Sequence, residues 1–248
     1  MVMQLTFIGG STLGLSDKKA MRLHSLLTES YKLISNDPVF SSAPSALAYS
    51  YSAKKPTKGL ATVYIPDNAN EETPVILFLH GYGGSFLFYL HYLASTFPDH
   101  IIICPAFGIS SAFISSAYLQ ECLDAVSEKL NFSLQRPVLM GISAGGRGGF
   151  REYTRQPNRY LGYICLAAFP PQNILATSPR NGRIRLIAGA NEFFVTGGTL
   201  KKQEKYLWRR TRDYSSYLVP GEDHFFMISS KEETSKKLKE WVSYLESE

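Results

Sequence analysis

Hydrophobic residues along this chain follow two rhythms. Short unbroken apolar runs alternate with longer stretches in which apolar residues return every third or fourth position. The runs at 74–80, 100–104, 137–142, 161–168 and 184–188 are of the first kind, as strands buried on both faces should be. Residues 60–65 are β-branched and aromatic, residues 47–53 alternate, and 215–219 close the set, so eight strands are expected. Lys54-Lys55-Pro56-Thr57-Lys58-Gly59 reads as a hairpin loop joining the first two, which makes that pair antiparallel.

The second rhythm predicts helices. Ser16 can cap one that opens at Asp17, carries Leu23, Leu27, Tyr31 and Ile34 on one face, and stops at Asn36-Asp37-Pro38. Others are expected over 86–97, 117–130, from Ser143 towards Pro157, and over 231–245, where Leu238, Trp241, Val242 and Leu245 mark the buried side. Strands alternating with helices predict an α/β domain, a mostly parallel sheet covered on both faces. It should span 46–248. Residues 1–45 are expected to form an irregular arm, marked by Gly9, Gly10 and Gly14, and a helix packed on the side of the domain.

Length and charge narrow the class. A chain of 248 residues suits one large domain with a sizeable core. No apolar run is long enough to span a bilayer, so no membrane span is expected. Met1-Val2-Met3-Gln4-Leu5-Thr6-Phe7-Ile8 has neither a basic start nor a long apolar core. A cytoplasmic protein is therefore expected, or a secreted one if a leader has been removed. The net charge of +5 is modest, and Lys201, Lys202, Lys205, Arg209, Arg210 and Arg212 recur as on the outer face of a helix. That pattern predicts a solvated face and no nucleic-acid partner. Cys104, Cys122 and Cys165 are widely spaced, and they read as buried thiols in a reducing compartment, with no metal site.

The chemistry concentrates in Pro137-Val138-Leu139-Met140-Gly141-Ile142-Ser143-Ala144-Gly145-Gly146. A buried strand runs into Gly-x-Ser-x-Gly and then into a helix-compatible stretch. The glycines let backbones pass close together at a sharp turn, which lifts the Ser143 hydroxyl above the sheet and aims the Ala144 N–H into the same space. A serine nucleophile needs a base from elsewhere. Of the five histidines, His24 and His91 lie in helical stretches and His100 opens a strand. His224 follows the last strand, in Pro220-Gly221-Glu222-Asp223-His224-Phe225-Phe226, where a loop can reach back over the sheet. By position and elimination it is the base. His80-Gly81-Tyr82-Gly83-Gly84 ends the strand at 74–80, where exposed N–H groups meet ligands, and Gly83 is a substrate-binding candidate there.

The order of nucleophile and base, with a His-Gly loop upstream, resembles the α/β-hydrolase superfamily over nearly the whole chain from about Leu47. Gly141-Ile142-Ser143-Ala144-Gly145-Gly146-Arg147-Gly148-Gly149 and Pro157-Asn158-Arg159-Tyr160 resemble its esterase and predicted-peptidase branch, which includes polyhydroxybutyrate-depolymerase-like and feruloyl-esterase-like proteins. The resemblance implies a three-layer α/β-hydrolase fold. It also implies an acid after the strand at 184–188, here Glu192 in Gly189-Ala190-Asn191-Glu192, where aspartate is the commoner occupant. Asp223 is the rival, although a residue adjacent to His224 pairs awkwardly with its Nδ1. The implied oxyanion hole is the Ala144 N–H with that of Tyr82, and His80 would be structural.

Loops leaving the strand ends carry many phenylalanines. Phe113, Phe169, Phe193 and Phe225 are the candidates for an apolar acyl or aryl pocket, and others should be core. Arg147, Arg151 and Arg155 recur every four residues and read as a solvated stripe. The stretch from Ser143 to Glu192 is used up by a strand and helical connections, which leaves no room for a large lid. The expected function is hydrolysis of a small-molecule carboxylic ester through an acyl-enzyme, with no cofactor and no metal. An oligopeptidase or acyltransferase on the same residues is the alternative within that machinery. A non-catalytic receptor that kept the fold is the alternative outside it.

Overall fold

The computed structural model describes residues 16–54, 59–82, 86–170 and 172–247. The expected N-terminal arm, most of the 54–59 loop, and Gly83 and Gly84 lie outside the described residues. Among the described residues, seven strands form one sheet: β1 (Leu60–Tyr64), β2 (Val75–Leu79), β3 (Ile101–Ala106), β4 (Val138–Ile142), β5 (Gly162–Leu166), β6 (Arg183–Gly189) and β7 (Asp213–Val219). Their order is β1-β3-β2-β4-β5-β6-β7. Only β1 is antiparallel to its neighbour, running from Leu60 opposite Ala106 to Tyr64 opposite Ile102.

Two expectations are corrected here. The sheet has seven described strands instead of eight, and the predicted first hairpin does not form. Residues 47–53 contain a single helical turn, Leu47–Ser50. The Ser50 N–H and hydroxyl both return to the Ala46 carbonyl, at 3.0 and 2.8 Å. The buried positions there are Ala46 and Ser50, four apart, while Tyr49 is exposed. That is helical spacing, and Ala46, Leu47 and Ala48 favour it; none of the three is β-branched. The alternation that resembled a strand has no burial behind it.

Apolar residues divide between the two faces of the sheet by the pleat. Ile76, Phe78, Ile102, Met140, Ile164 and Ile187 point to one side, where the helices Asp17–Asn36, Phe86–Thr96 and Lys231–Glu246 cover them. Val75, Leu77, Ile103, Leu139, Tyr163 and Leu186 point to the other. There they meet the helices Ser116–Leu130, Ala144–Arg155 and Thr199–Arg210. Both faces are thus dry, which is why the central strands lack the polar alternation of a half-exposed sheet.

The N-terminal helix begins where its sequence signal lies, with the Ser16 hydroxyl accepting the Lys19 N–H at 3.4 Å. Its Leu23 and Leu27 pack with Phe88 and Ile228. The six parallel strands, β2 to β7, all point their carboxyl ends to one edge. The chain reverses its winding direction between β2 and β4, so a crevice opens there.

Candidate active site

Ser143 stands at the head of that crevice. It leaves β4 with φ 53° and ψ −114°, a conformation outside the ordinary wells for an L-residue, and the helix Ala144–Arg155 starts immediately after it. The turn is pinned on both sides. The Ser143 N–H donates to the Leu166 carbonyl at 2.9 Å, and the Ser143 carbonyl accepts the Arg147 N–H at 3.1 Å. Glycine is required beneath it. A Cβ on Gly145 would collide with the Leu79 and His80 carbonyls, and one on Gly141 would lie 2.5 Å from the Gly145 carbonyl oxygen. Backbones from two strands and a helix therefore meet at a separation that no side chain permits.

His224 is carried on the loop after β7, and Glu192 on the turn after β6. The structure brings the three together. His224 Nε2 lies 3.0 Å from Ser143 Oγ, and its Nδ1 lies 3.0 Å from Glu192 Oε2. With the proton on Nδ1, the ring donates to the carboxylate and accepts from the hydroxyl. Glu192 is 2 % exposed, and among the described residues its Oε1 has no hydrogen-bond partner. Only Oε2 of the carboxylate meets the imidazole. Asp223, the rival, faces away. Its Oδ2 lies 2.7 Å from Lys19 Nζ and its Oδ1 accepts the Phe225 N–H at 3.1 Å.

The loop after β2 runs alongside. Gly81 is buried, and a Cβ there would touch Ser143 Cβ at 3.3 Å. Tyr82 follows, its side chain 66 % exposed. Ala144, as the first residue of its helix, has an N–H with no intrahelical carbonyl to meet. His80 is buried below the loop, stacked on Phe107 at 3.8 Å between ring centres. Its Nδ1 donates to the Gly81 carbonyl at 2.7 Å and its Nε2 accepts the Phe107 N–H at 3.3 Å. Burial lowers its pKa to about 4, so the ring is neutral and both nitrogens are committed to backbone.

The candidate pocket residues separate. Phe169 and Phe193 lie together with Phe194, at ring-centre distances of 4.9 to 6.5 Å, and Phe193 is 66 % exposed. Phe113 packs on Gly108, and Phe225 sets its ring edge-on to His224 and against the cluster of Leu23, Leu27, Phe88 and Ile228. Among the described residues no ring contact joins either of these to the Phe169 group. Phe107, Phe194 and Phe226 are core. Arg147 is exposed and lies over the Phe169 ring, 5.6 Å from its centre. Arg151 departs from the expected solvated stripe, since it is half-buried and donates to the Ser111 hydroxyl at 3.1 Å and to the Ser111 carbonyl.

Sequence reasoning missed the polar ties that hold the His224 loop. Glu222 is buried, and its carboxylate accepts from the Ser229 and Ser230 hydroxyls at 2.6 and 2.8 Å. Its carbonyl accepts the Asn191 N–H at 2.7 Å, which fastens the loop to the turn that carries Glu192. The pairing of Lys19 with Asp223 joins opposite ends of the chain, and no local pattern signals it.

The sheet order, its two helical layers and the serine turn at the carboxyl edge define the α/β-hydrolase fold. No protein-family model and no curated protein matches the chain. Solved structures do. It is similar to the esterase Pf2001 of Pyrococcus furiosus, with a TM-score of 0.61 at 11% identity, over 82% of this chain and 94% of that one. It is similar to Est1E of Butyrivibrio proteoclasticus, with a TM-score of 0.53 at 13% identity, over 75% and 95%. A proline iminopeptidase of Mycobacterium smegmatis also matches, with a TM-score of 0.51 at 13% identity, over 75% and 95%.

Proposed function

We propose that this protein is a serine hydrolase that cleaves carboxylic esters through an acyl-enzyme. The observation that carries the reading is the hydrogen-bonded chain from Ser143 Oγ through His224 to the buried Glu192, set at a strained turn. Ser143 Oγ attacks the ester carbonyl while His224 Nε2 takes its proton. Glu192 holds the Nδ1–H tautomer and stabilises the imidazolium that forms. The N–H groups of Ala144 and Tyr82 receive the oxyanion, where each such donor is worth about 3 kcal/mol of transition-state stabilisation. His224 then gives its proton to the departing alcohol, and water activated by the same ring releases the acid. Every step uses groups of the chain and water, so the reading requires no metal or cofactor.

The substrate class we assign is a small ester with a short or aromatic acyl group. The Phe169 and Phe193 rings, which pack together, are the apolar surface we assign to the acyl group, with Gly83, Phe113 and Phe225 as further candidates. Between Ser143 and Glu192 the described chain is occupied by the helix Ala144–Arg155, β5, β6 and short helical turns, which favours an open cleft. One structure of the similar Est1E has ferulic acid bound. The cytoplasm is the location we assign, supported by three buried free cysteines.

Turnover of a panel of p-nitrophenyl esters, methyl hydroxycinnamates and aminoacyl amides, with fluorophosphonate labelling alongside, tests the reading. Labelling at Ser143 and faster cleavage of short and aromatic esters are expected. A kcat/KM that climbs steadily with acyl length would remove the substrate assignment. Labelling without turnover of any ester or amide points to an acyltransferase, and no labelling points to a receptor.

A further inference from the structure

The helix Asp17–Asn36 reaches the His224 loop from outside the sheet, and its first turn ends in a charge. Lys19 Nζ lies 2.7 Å from Asp223 Oδ2 and 3.7 Å from Glu222 Oε2. Asp223 immediately precedes His224, and its other oxygen accepts the N–H of Phe225, the residue immediately after. One carboxylate therefore brackets the imidazole in sequence and is itself gripped by the lysine. Phe225 rests on the apolar cluster that the same helix builds with Leu23 and Leu27, and Lys231 Nζ reaches Ser30 Oγ at 2.5 Å further along it. From the opposite side the loop is tied to the Glu192 turn by the Asn191 N–H to Glu222 carbonyl bond.

We propose that Lys19 is a positioning residue for His224: by holding Asp223 it sets where the loop places the ring between Ser143 and Glu192. The inference rests on the serine-hydrolase reading above. As a contribution to stability the pair is minor, because both side chains are part-exposed, at 28% and 19%. The apolar contacts of Leu23 and Leu27 dock the helix. What the ion pair controls is the angle of a loop whose ring meets a hydroxyl on one side and a carboxylate on the other. A small displacement of such a base costs rate while leaving substrate binding alone.

Ester turnover and the rate of fluorophosphonate labelling are measured for wild type, Lys19→Met, Asp223→Asn, their combination, and Lys19→Arg, with thermal unfolding of each. Lys19→Met is expected to lower kcat and the labelling rate about 3- to 10-fold with KM unchanged, as misplacement of a catalytic group does. Lys19→Arg should recover most of the loss. The combined variant should be no slower than either single one, because both remove the same contact. Wild-type rates in Lys19→Met, multiplying defects in the combination, or a rise in KM at constant kcat would each overturn the proposal. Should Lys19→Met fail to fold, the swapped pair Lys19→Asp with Asp223→Lys decides. Recovery above either single reversal supports the proposal, and no recovery overturns it. A wild-type protein that is not labelled overturns the functional reading and this inference with it, whereas a labelled one indifferent to Lys19→Met overturns this inference alone.

Discussion

Ser143 and His224 face each other across one hydrogen bond, yet the two halves of the site are held in different ways. The serine turn is fixed by steric necessity. Gly141, Gly145 and Gly146 each stand where a Cβ would strike backbone or a neighbouring side chain, and the strained φ of Ser143 is held by backbone bonds to Leu166 and Arg147. The histidine loop is fixed by polar side chains, among them Glu222 on Ser229 and Ser230 and Asp223 on Lys19. Packing at this density has one solution and tolerates little change. A set of polar ties can lose a member and remain in place, with the geometry loosened. The nucleophile side should therefore fail completely, and the base side by degrees.

The largest expected effect is chemical. Ser143→Ala should lose at least about 10⁴ in kcat, as removing a triad nucleophile does elsewhere. The fold should survive, because the hydroxyl is hydrogen-bonded to His224 at the turn and holds no part of the core together. Residual ester turnover well above the uncatalysed rate would show that the nucleophile lies elsewhere. Next comes the steric test. Gly145→Ala puts a methyl group against two backbone carbonyls that cannot rotate away, so a loss of about 3 kcal/mol or more in stability is expected, at the upper end for overpacking. Denaturant unfolding measures it, and an unchanged midpoint would mean that the serine turn is looser than described.

Glu192→Gln follows. The amide keeps the shape but removes the charge that orients the Nδ1–H and stabilises the imidazolium, so a loss of at least about 10² in kcat is expected by analogy with the chymotrypsin-type case. Asp223→Asn should cost far less, since Asp223 meets Lys19 and the Phe225 N–H and not the ring nitrogen. Kinetics of both variants, with circular dichroism to confirm folding, separate the two. An Asp223→Asn as damaged as Glu192→Gln would move the acid onto the base loop and cancel the contrast between the halves.

The same contrast governs what the sequence reveals. The serine turn is legible because its requirements are local: an apolar run, Gly-x-Ser-x-Gly and a helix-forming stretch lie within a few residues of one another. Five of the six parallel strands, β2 to β6, and their helices are legible for a similar reason, since burial on both faces leaves unbroken apolar runs. Leu47–Ser50 misleads because a single helical turn and a short strand can share an alternating pattern, and only burial at Ala46 and Ser50 separates them. Placing Glu192 needs the resemblance to a fold, because a lone glutamate after a strand has no pattern of its own. The Lys19–Asp223 pair leaves no trace in either neighbourhood, as each residue looks like an ordinary surface charge until the helix docks. Phe225 is similar, since its position in sequence beside the base says nothing about the side to which its ring turns.

His80 offers the finest test, because it is a polar tie on the sterically determined side. Its two nitrogens join the Gly81 carbonyl to the Phe107 N–H directly beside the serine turn, and burial lowers its pKa from the ordinary 6.5 to about 4. The native ring therefore stays neutral at pH values where the unfolded chain takes up a proton. Stability from this source is complete above about pH 6.5 and falls as the pH drops towards 4, because protons bind preferentially to the unfolded state across that window. The expected loss at pH 5 is about 2 kcal/mol, as follows from a histidine whose pKa falls from 6.5 to about 4 on folding. Urea midpoints of wild type and His80→Gln at pH 7 and pH 5 measure it as a difference of slopes, which removes the carboxylates common to both. Glutamine can donate and accept where the imidazole did but takes up no proton, so the variant should start less stable at pH 7, lacking the stack on Phe107, and lose less on acidification. Equal slopes would mean that the native ring takes up a proton as readily as the unfolded one, and the two backbone bonds beside Ser143 would then not hold the imidazole neutral.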